Sequence, residues 1–241
     1  NAYKKSTDNG QQTTDIVHDP QSWFSVILDK NDFGIIKTDD NEKAERLSNI
    51  MSKVKSLNEN IFNDSHDYKF NTLLDFDPQW GLGSSSTLIN NISEWAEINP
   101  YELLDSTFKG SGYDIACAKS NEPIFYKVNG RIIEIANFNP EFKDNLYFVY
   151  QGRKQNSANE VKAFLDKDKN YTTEVQQISE IGKIMPEIQS LRDFCYFIKV
   201  HEGIMAACLE QKCIKKYFSD FEGEMKSLGA WGGDFLLAAT E

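Results

Sequence analysis

The stretch that decides the reading is Trp80-Gly81-Leu82-Gly83-Ser84-Ser85-Ser86-Thr87. Before it lies an apolar run, residues 68–76, that reads as a strand ended by Asp77-Pro78. After it Leu88, Ile89, Ile92, Trp95 and Ala96 recur at helical spacing. Gly81 and Gly83 permit positive φ and let a ligand approach the backbone closely. A helix beginning here presents unpaired N–H groups and the positive end of its dipole. The serine hydroxyls add donors at the same place, so the stretch is a natural cradle for phosphate. It is not a Walker A loop, because no Gly-Lys-Ser/Thr follows. An ordinary serine-rich helix cap would use the same residues.

Working outward, two more glycine turns stand downstream. Gly110-Ser111-Gly112 precedes Tyr113-Asp114-Ile115-Ala116-Cys117. A carboxylate just after such a turn can point into a cleft and orient an attacking hydroxyl; a solvated or capping aspartate has the same sequence. Gly229-Ala230-Trp231-Gly232-Gly233-Asp234 precedes an apolar run at residues 235–239, either a substrate-facing loop or a plain turn into a strand.

The rest of the chain reads as mixed strand and helix. Apolar runs at residues 23–28 and 33–37 suggest a hairpin, and Asp39 or Asp40 caps a helix running to about Leu57. Asn99-Pro100-Tyr101-Glu102 opens a short helix that ends before Gly110. Residues 124–128 and 131–136 flank Asn129-Gly130, which suits a type I′ hairpin, and 146–150 reads as a strand. Ser157-Ala158-Asn159-Glu160 is a capping box, and residues 157–226 read as nearly all helix, interrupted near Pro186 and Lys212. A soft boundary falls near residue 155.

Composition narrows the partners. The formal net charge of -11 argues against a nucleic-acid backbone or an anionic membrane surface, both of which reward excess Lys and Arg. A backbone-lined phosphate site is not disfavoured, since it needs few basic side chains. No apolar run approaches the ~20 residues of a membrane helix, and the first twenty residues lack the apolar core of a signal peptide. Cys117, Cys195, Cys208 and Cys213 form no C-x-x-C pair and read as reduced thiols in a cytoplasmic protein. His18, His66 and His201 have no metal-ligand spacing.

Taken in order, the three glycine segments resemble the GHMP kinases, the superfamily of galactokinase, homoserine kinase and mevalonate kinase. Gly81-Leu82-Gly83-Ser84-Ser85-Ser86 is similar to that superfamily's second motif, the phosphate-binding loop. Gly110-Ser111-Gly112-Tyr113-Asp114-Ile115-Ala116 resembles the segment with its catalytic aspartate, and its last five residues spell the signature of the bacterial GYDIA subgroup. Gly229-Ala230-Trp231-Gly232-Gly233 resembles the third motif, with Trp231 where a glycine is common. The resemblance covers about residues 68–240.

It implies an α+β pair of domains, the first (residues 1–155) like domain 2 of ribosomal protein S5 and the second (156–241) a ferredoxin-like sandwich. It implies ATP and Mg²⁺ as cofactors. Gly81, Leu82, Gly83, Ser84, Ser85 and Ser86 would hold the phosphates, with Ser85 near the metal. Asp114 would be the catalytic carboxylate. Gly229, Ala230, Gly232 and Gly233 would line the substrate side. Asp105 stands one register from the magnesium-binding Glu of many relatives and is the candidate second metal ligand. Arg153 and Lys154 are candidates to meet an anionic substrate group or to be a solvated loop. The first motif, a strand with a basic residue followed by Gly-Glu, is not found, so the first strands of that domain are expected to be absent from this sequence. The expected activity is transfer of the ATP γ-phosphoryl group to a small metabolite, a mevalonate-pathway intermediate or a sugar or sugar phosphate, by a monomer or homodimer. A non-catalytic nucleotide- or metabolite-binding protein, and an interaction domain with chance motifs, stay open beside it.

Overall fold

The computed structural model describes residues 23–152, 157–229 and 234–241. The chain forms an α+β structure with small antiparallel sheets, and it divides into two compact units. The first comprises the described chain up to Asp75, Gly83–Asn121 and Tyr126–Ile133; the second comprises Phe76–Leu82, Glu122–Phe125 and Glu134–Glu241. The division crosses the glycine/serine stretch between Leu82 and Gly83.

In the first unit, β1 (Val26–Leu28) pairs antiparallel with β2 (Ile35–Thr38). The helix α1 (Asn41–Leu57) starts where an aspartate was expected to cap it: Asp40 Oδ1 accepts from Lys43 N at 3.1 Å. Its apolar face buries Ala44, Ile50, Met51 and Val54. Three further helices follow, α2 (Ser84–Trp95), α3 (Pro100–Ser106) and α4 (Tyr113–Lys119). Asn99 caps α3 by accepting from Tyr101 N at 2.9 Å, with Pro100 in the first turn as its missing N–H allows. One core joins α1 to the later helices through Ile50, Val54, Ile89, Ile92, Leu103 and Ile115.

The strand expected at residues 68–76 does not form. Tyr68 and Phe70 instead join an aromatic cluster around Trp95, with ring centroids 5.5 and 4.7 Å away, and Phe62 completes it. The backbone from 69 to 74 runs without regular structure, and Leu73 is 87% exposed. Anchoring by ring packing, with no neighbouring strand to pair among the described residues, explains the loss of a strand whose residue types favour one.

The strands β3 (Ile124–Lys127) and β4 (Ile132–Ile135) form the expected hairpin. Its turn is not type I′. Arg131 N donates to Val128 O at 3.1 Å, and the positive φ values fall on Gly130 (82°) and Arg131 (50°) rather than on Asn129 and Gly130.

The second unit is built on a three-stranded antiparallel sheet in the order β5 (Leu146–Tyr150), β7 (Phe235–Ala239), β6 (Glu224–Ser227). Around it lie α5 (Ser157–Leu165), α6 (Thr172–Ile184) and α7 (Leu191–Leu209). The N-terminal side of α5, where the capping box was read, adjoins residues outside the described set. The breaks near Pro186 and Lys212 are present as expected, each followed or occupied by a short 3₁₀ turn. The strand β7 is central, and its alternate residues feed two cores. Ala239, with Leu237 partly buried beside it, packs with Phe142, Phe194 and Ile198; Leu236 and Ala238 pack with Ile214 and Met225. The strand β6 overlaps the end of the range, residues 157–226, expected to be nearly all helix. Its sequence, Glu-Met-Lys-Ser, has little strand propensity, and pairing with β7 overrides that.

Candidate functional site

Within the first unit two helices begin side by side on glycine. Gly83 precedes α2 with φ 73°, and Gly112 precedes α4 with φ 78°. Neither offers a side-chain cap. The carbonyl of Gly83 accepts from Thr87 N at 3.0 Å and from Thr87 Oγ1 at 3.2 Å, which closes the first turn of α2. The N–H groups of Ser84, Ser85 and Ser86 precede the first intrahelical bond, so they are the donors a helix start leaves for an anion.

Asp114 is in the first turn of α4, and its side chain lies against the opening of α2. A β-carbon built on Gly83 would stand 3.5 Å from Asp114 Cγ and 3.7 Å from its Oδ1. That is ordinary contact, so φ, not space, is what requires glycine at 83. Asp114 keeps solvent access, yet its surroundings remove enough hydration to push its carboxyl above the usual carboxylate range. Among the described residues no cation or donor offsets that shift.

The turn that presents Asp114 is clamped by tyrosines. A β-carbon on Gly112 would fall 2.9 Å from Tyr101 Cε1 and 3.0 Å from the Tyr126 hydroxyl. Tyr126 donates to the Ser111 carbonyl at 2.6 Å. Arg131 lies over the Tyr101 ring, 4.7 Å from its centroid, and donates to Asp105 Oδ1 at 2.5 Å. Tyr101, Tyr126 and Arg131 were not singled out from sequence as site residues. The signal was the Tyr101-x-x-x-Asp105 spacing on one short helix and the tyrosine of the Asn129-Gly130 hairpin, neither of which points to a site by itself.

Asp105, the candidate metal ligand, is thus engaged with Arg131 through Oδ1. Among the described residues no group of three or more His, Cys, Asp or Glu side chains is arranged to hold a metal ion.

In the second unit, Gly81 is left-handed (φ 70°), and a β-carbon on it would collide with Asp234 Oδ1 at 2.5 Å. Leu82 is exposed. Gly229 has φ 62° and open space where a β-carbon would be. Ala230, Gly232 and Gly233 lie outside the described residues, as do Arg153 and Lys154. A shallow open depression lined by Ser190, Arg192, Asp193 and Tyr196 sits at the start of α7 and touches none of the residues expected to act.

His201 is a half-buried residue of α7 in the second unit. Burial, with Lys226 nearby, lowers its pKa to about 4. Its neighbour Glu202 is 2% exposed and was missed from sequence. Its carboxylate accepts from Ile214 N at 2.9 Å, Ser227 N at 3.0 Å and Ser227 Oγ at 3.3 Å.

Comparison with protein-family models, with curated proteins and with solved structures finds no match to this chain. Among the described residues no helix is long and apolar enough to cross a membrane.

Proposed function

We propose that this protein is an ATP-dependent small-molecule kinase of the GHMP type. The opening of α2 seats the polyphosphate, and Asp114 takes the proton of the substrate hydroxyl. The observation that carries the reading is the approach of Asp114 Cγ to within 3.5 Å of a β-carbon position on Gly83. It joins an anion-seating helix start to a carboxylate in the same unit. In the proposed reaction the substrate hydroxyl oxygen attacks the γ-phosphorus, the bond to ADP breaks, and the hydroxyl proton passes to Asp114. A carboxylate held above its usual range is a better base than an ordinary one. The N–H groups and hydroxyls of Ser84–Ser86 balance charge on the phosphates. Ser85 would hold a magnesium ion, which would supply charge neutralisation. The substrate class, a mevalonate-pathway intermediate or a sugar or sugar phosphate, and a monomer or homodimer rest on the resemblance alone; a cytoplasmic setting rests on four cysteines that form no C-x-x-C pair.

A second reading, a nucleotide- or metabolite-binding protein without turnover, is favoured by the engagement of Asp105 with Arg131. One experiment separates the two: ADP release from Mg-ATP across a metabolite panel, with binding of a non-hydrolysable ATP analogue measured in parallel. Asp114→Asn is expected to lower turnover by ~10² or more while analogue affinity stays near wild type. Unchanged turnover defeats the role of Asp114. Binding without turnover on any metabolite selects the second reading, and absence of nucleotide binding removes the kinase and leaves only metabolite binding from the second.

A further inference from the structure

The turn into α4 is held at its entry by the hairpin. Tyr126–Ile133 of that hairpin belong to the same unit as α2, α3 and α4. The Tyr126 hydroxyl donates to Ser111 O at 2.6 Å. That carbonyl is part of the peptide leading into Gly112, and a planar peptide held at one atom is held as a unit. Gly112 is buried and left-handed (φ 78°), and its carbonyl accepts the first bond of α4, from Ala116 N at 3.1 Å. The Tyr101 ring also closes on it: a β-carbon at 112 would stand 2.9 Å from Tyr101 Cε1 and 3.0 Å from the Tyr126 hydroxyl. Tyr101 is braced from the same hairpin, because Arg131 spans its ring and Asp105, one turn further along α3. Two tyrosines therefore bear on one glycine, but their hydroxyls differ. That of Tyr126 holds the backbone, whereas that of Tyr101 is buried with no hydrogen-bond partner among the described residues.

We propose that Tyr126 is a positioning residue for Asp114: its hydroxyl, by holding the Ser111 carbonyl, fixes the turn that sets the Asp114 carboxylate beside Gly83. The catalytic meaning of that placement rests on the kinase reading above; the placement itself does not. Tyr126 acts through the backbone and not on a reacting atom. Its contribution lies in the hydroxyl, so phenylalanine at 126 loses it even though the ring still packs edge-on against Tyr113. Tyr101 contributes by its ring alone, so phenylalanine serves there as well as tyrosine. Residue 112 must be glycine for two separate reasons, its φ and the rings that close on it.

The test compares Tyr126→Phe with Tyr101→Phe in the full chain, since each removes one hydroxyl beside the same glycine. In Tyr126→Phe the Ala116 amide is expected to exchange ~5-fold faster, the factor one hydrogen bond is worth, with α1 amides unchanged. The Asp114 carboxyl, followed by carboxyl-carbon NMR and assigned by its loss in Asp114→Asn, is expected to titrate ~0.5 pH unit lower than in wild type as water reaches it. A tyrosine that merely stabilised the hairpin would lower Tm without moving that midpoint. Tyr101→Phe is expected to leave both readouts at their wild-type values. Unchanged Ala116 exchange or an unmoved midpoint in Tyr126→Phe overturns the proposal, and so does a Tyr101→Phe protein that matches Tyr126→Phe. Equal loosening of α1 overturns it too, because the hydroxyl would then support the whole unit. Under the kinase reading, kcat for ADP release in Tyr126→Phe falls ~10-fold while affinity for a non-hydrolysable ATP analogue holds, and an unchanged kcat counts against the proposal. A wild-type protein that releases no ADP with any metabolite removes the kinase reading, while exchange and titration still judge Tyr126.

Discussion

Two carboxylates, one in each unit, are handled in opposite ways. Glu202 on α7 is sunk among α7, β6 and the turn after Cys213, and three donors converge on it. Asp114 at the start of α4 keeps access to solvent, is pushed above its usual pKa by its surroundings, and among the described residues receives no compensating donor. A satisfied buried carboxylate holds backbone segments together, since each N–H it accepts from would otherwise be buried without a partner. A carboxylate left short of partners beside a helix N-terminus contributes nothing of that kind, and its charge is disfavoured in the folded state. The first arrangement serves stability, and the second is the kind found where chemistry is done.

The comparison can be broken most sharply at Glu202. Glu202→Ala leaves the Ile214 and Ser227 amides without their acceptor. It is expected to destabilise the protein by ~3–5 kcal/mol, a fall of roughly 6–20 °C in Tm for a chain of this size. A Tm within about 2 °C of wild type would mean that water replaces the carboxylate and that Glu202 is not structural.

The next effect is a pH dependence in the same region. His201 titrates at about 4 in the folded protein, below the ordinary histidine value of 6.5. Between those two values the unfolded chain binds more protons than the folded one, so stability rises with pH through that window and is lost as pH falls. Removing the titration with His201→Gln is expected to flatten denaturation free energy against pH between about 4 and 6.5, a contribution of at most ~3 kcal/mol. An unaltered slope in that variant would place the acid sensitivity elsewhere.

The smallest effect sharpens the contrast by having the opposite sign. Because the folded pKa of Asp114 is raised, the folded state binds the extra proton between the unfolded value near 3.8 and the raised folded one, so stability falls as pH rises through that window. Asp114→Asn is therefore expected to raise Tm at pH 7 by ~1 °C, the effect being damped by solvent, and to have no effect below pH ~3. Destabilisation at pH 7 would show that the carboxylate is as structural as Glu202.

Much of the local structure was legible in the residues. Asp40 and Asn99 cap the helices they were read to cap, because capping depends on a side chain reaching an N–H two or three residues away. The short apolar run Phe235–Ala239 was read as a strand and forms one. What failed was whatever depended on distant partners. Residues 68–76 have strand-forming side chains, but their fate was set by Trp95. Glu224–Ser227 has none of the pattern of a strand and becomes one on β7. The site divides along the same line. Gly83 and Asp114 were both named from their local motifs. The tyrosine clamp on Gly112, the engagement of Asp105 by Arg131, and the seat of Asp234 on Gly81 join residues 11 to 153 positions apart in the chain.

The sequence by itself determined where helices begin on glycine and that the chain carries excess negative charge. Those are properties of a few adjacent residues and of a sum over the chain. Only the tertiary structure decided that the carboxylate of residue 114 meets the opening of α2 and that Glu202 is an internal tie. Such proximities arise from packing across long sequence separations, where the energy of each contact depends on partners no local pattern names.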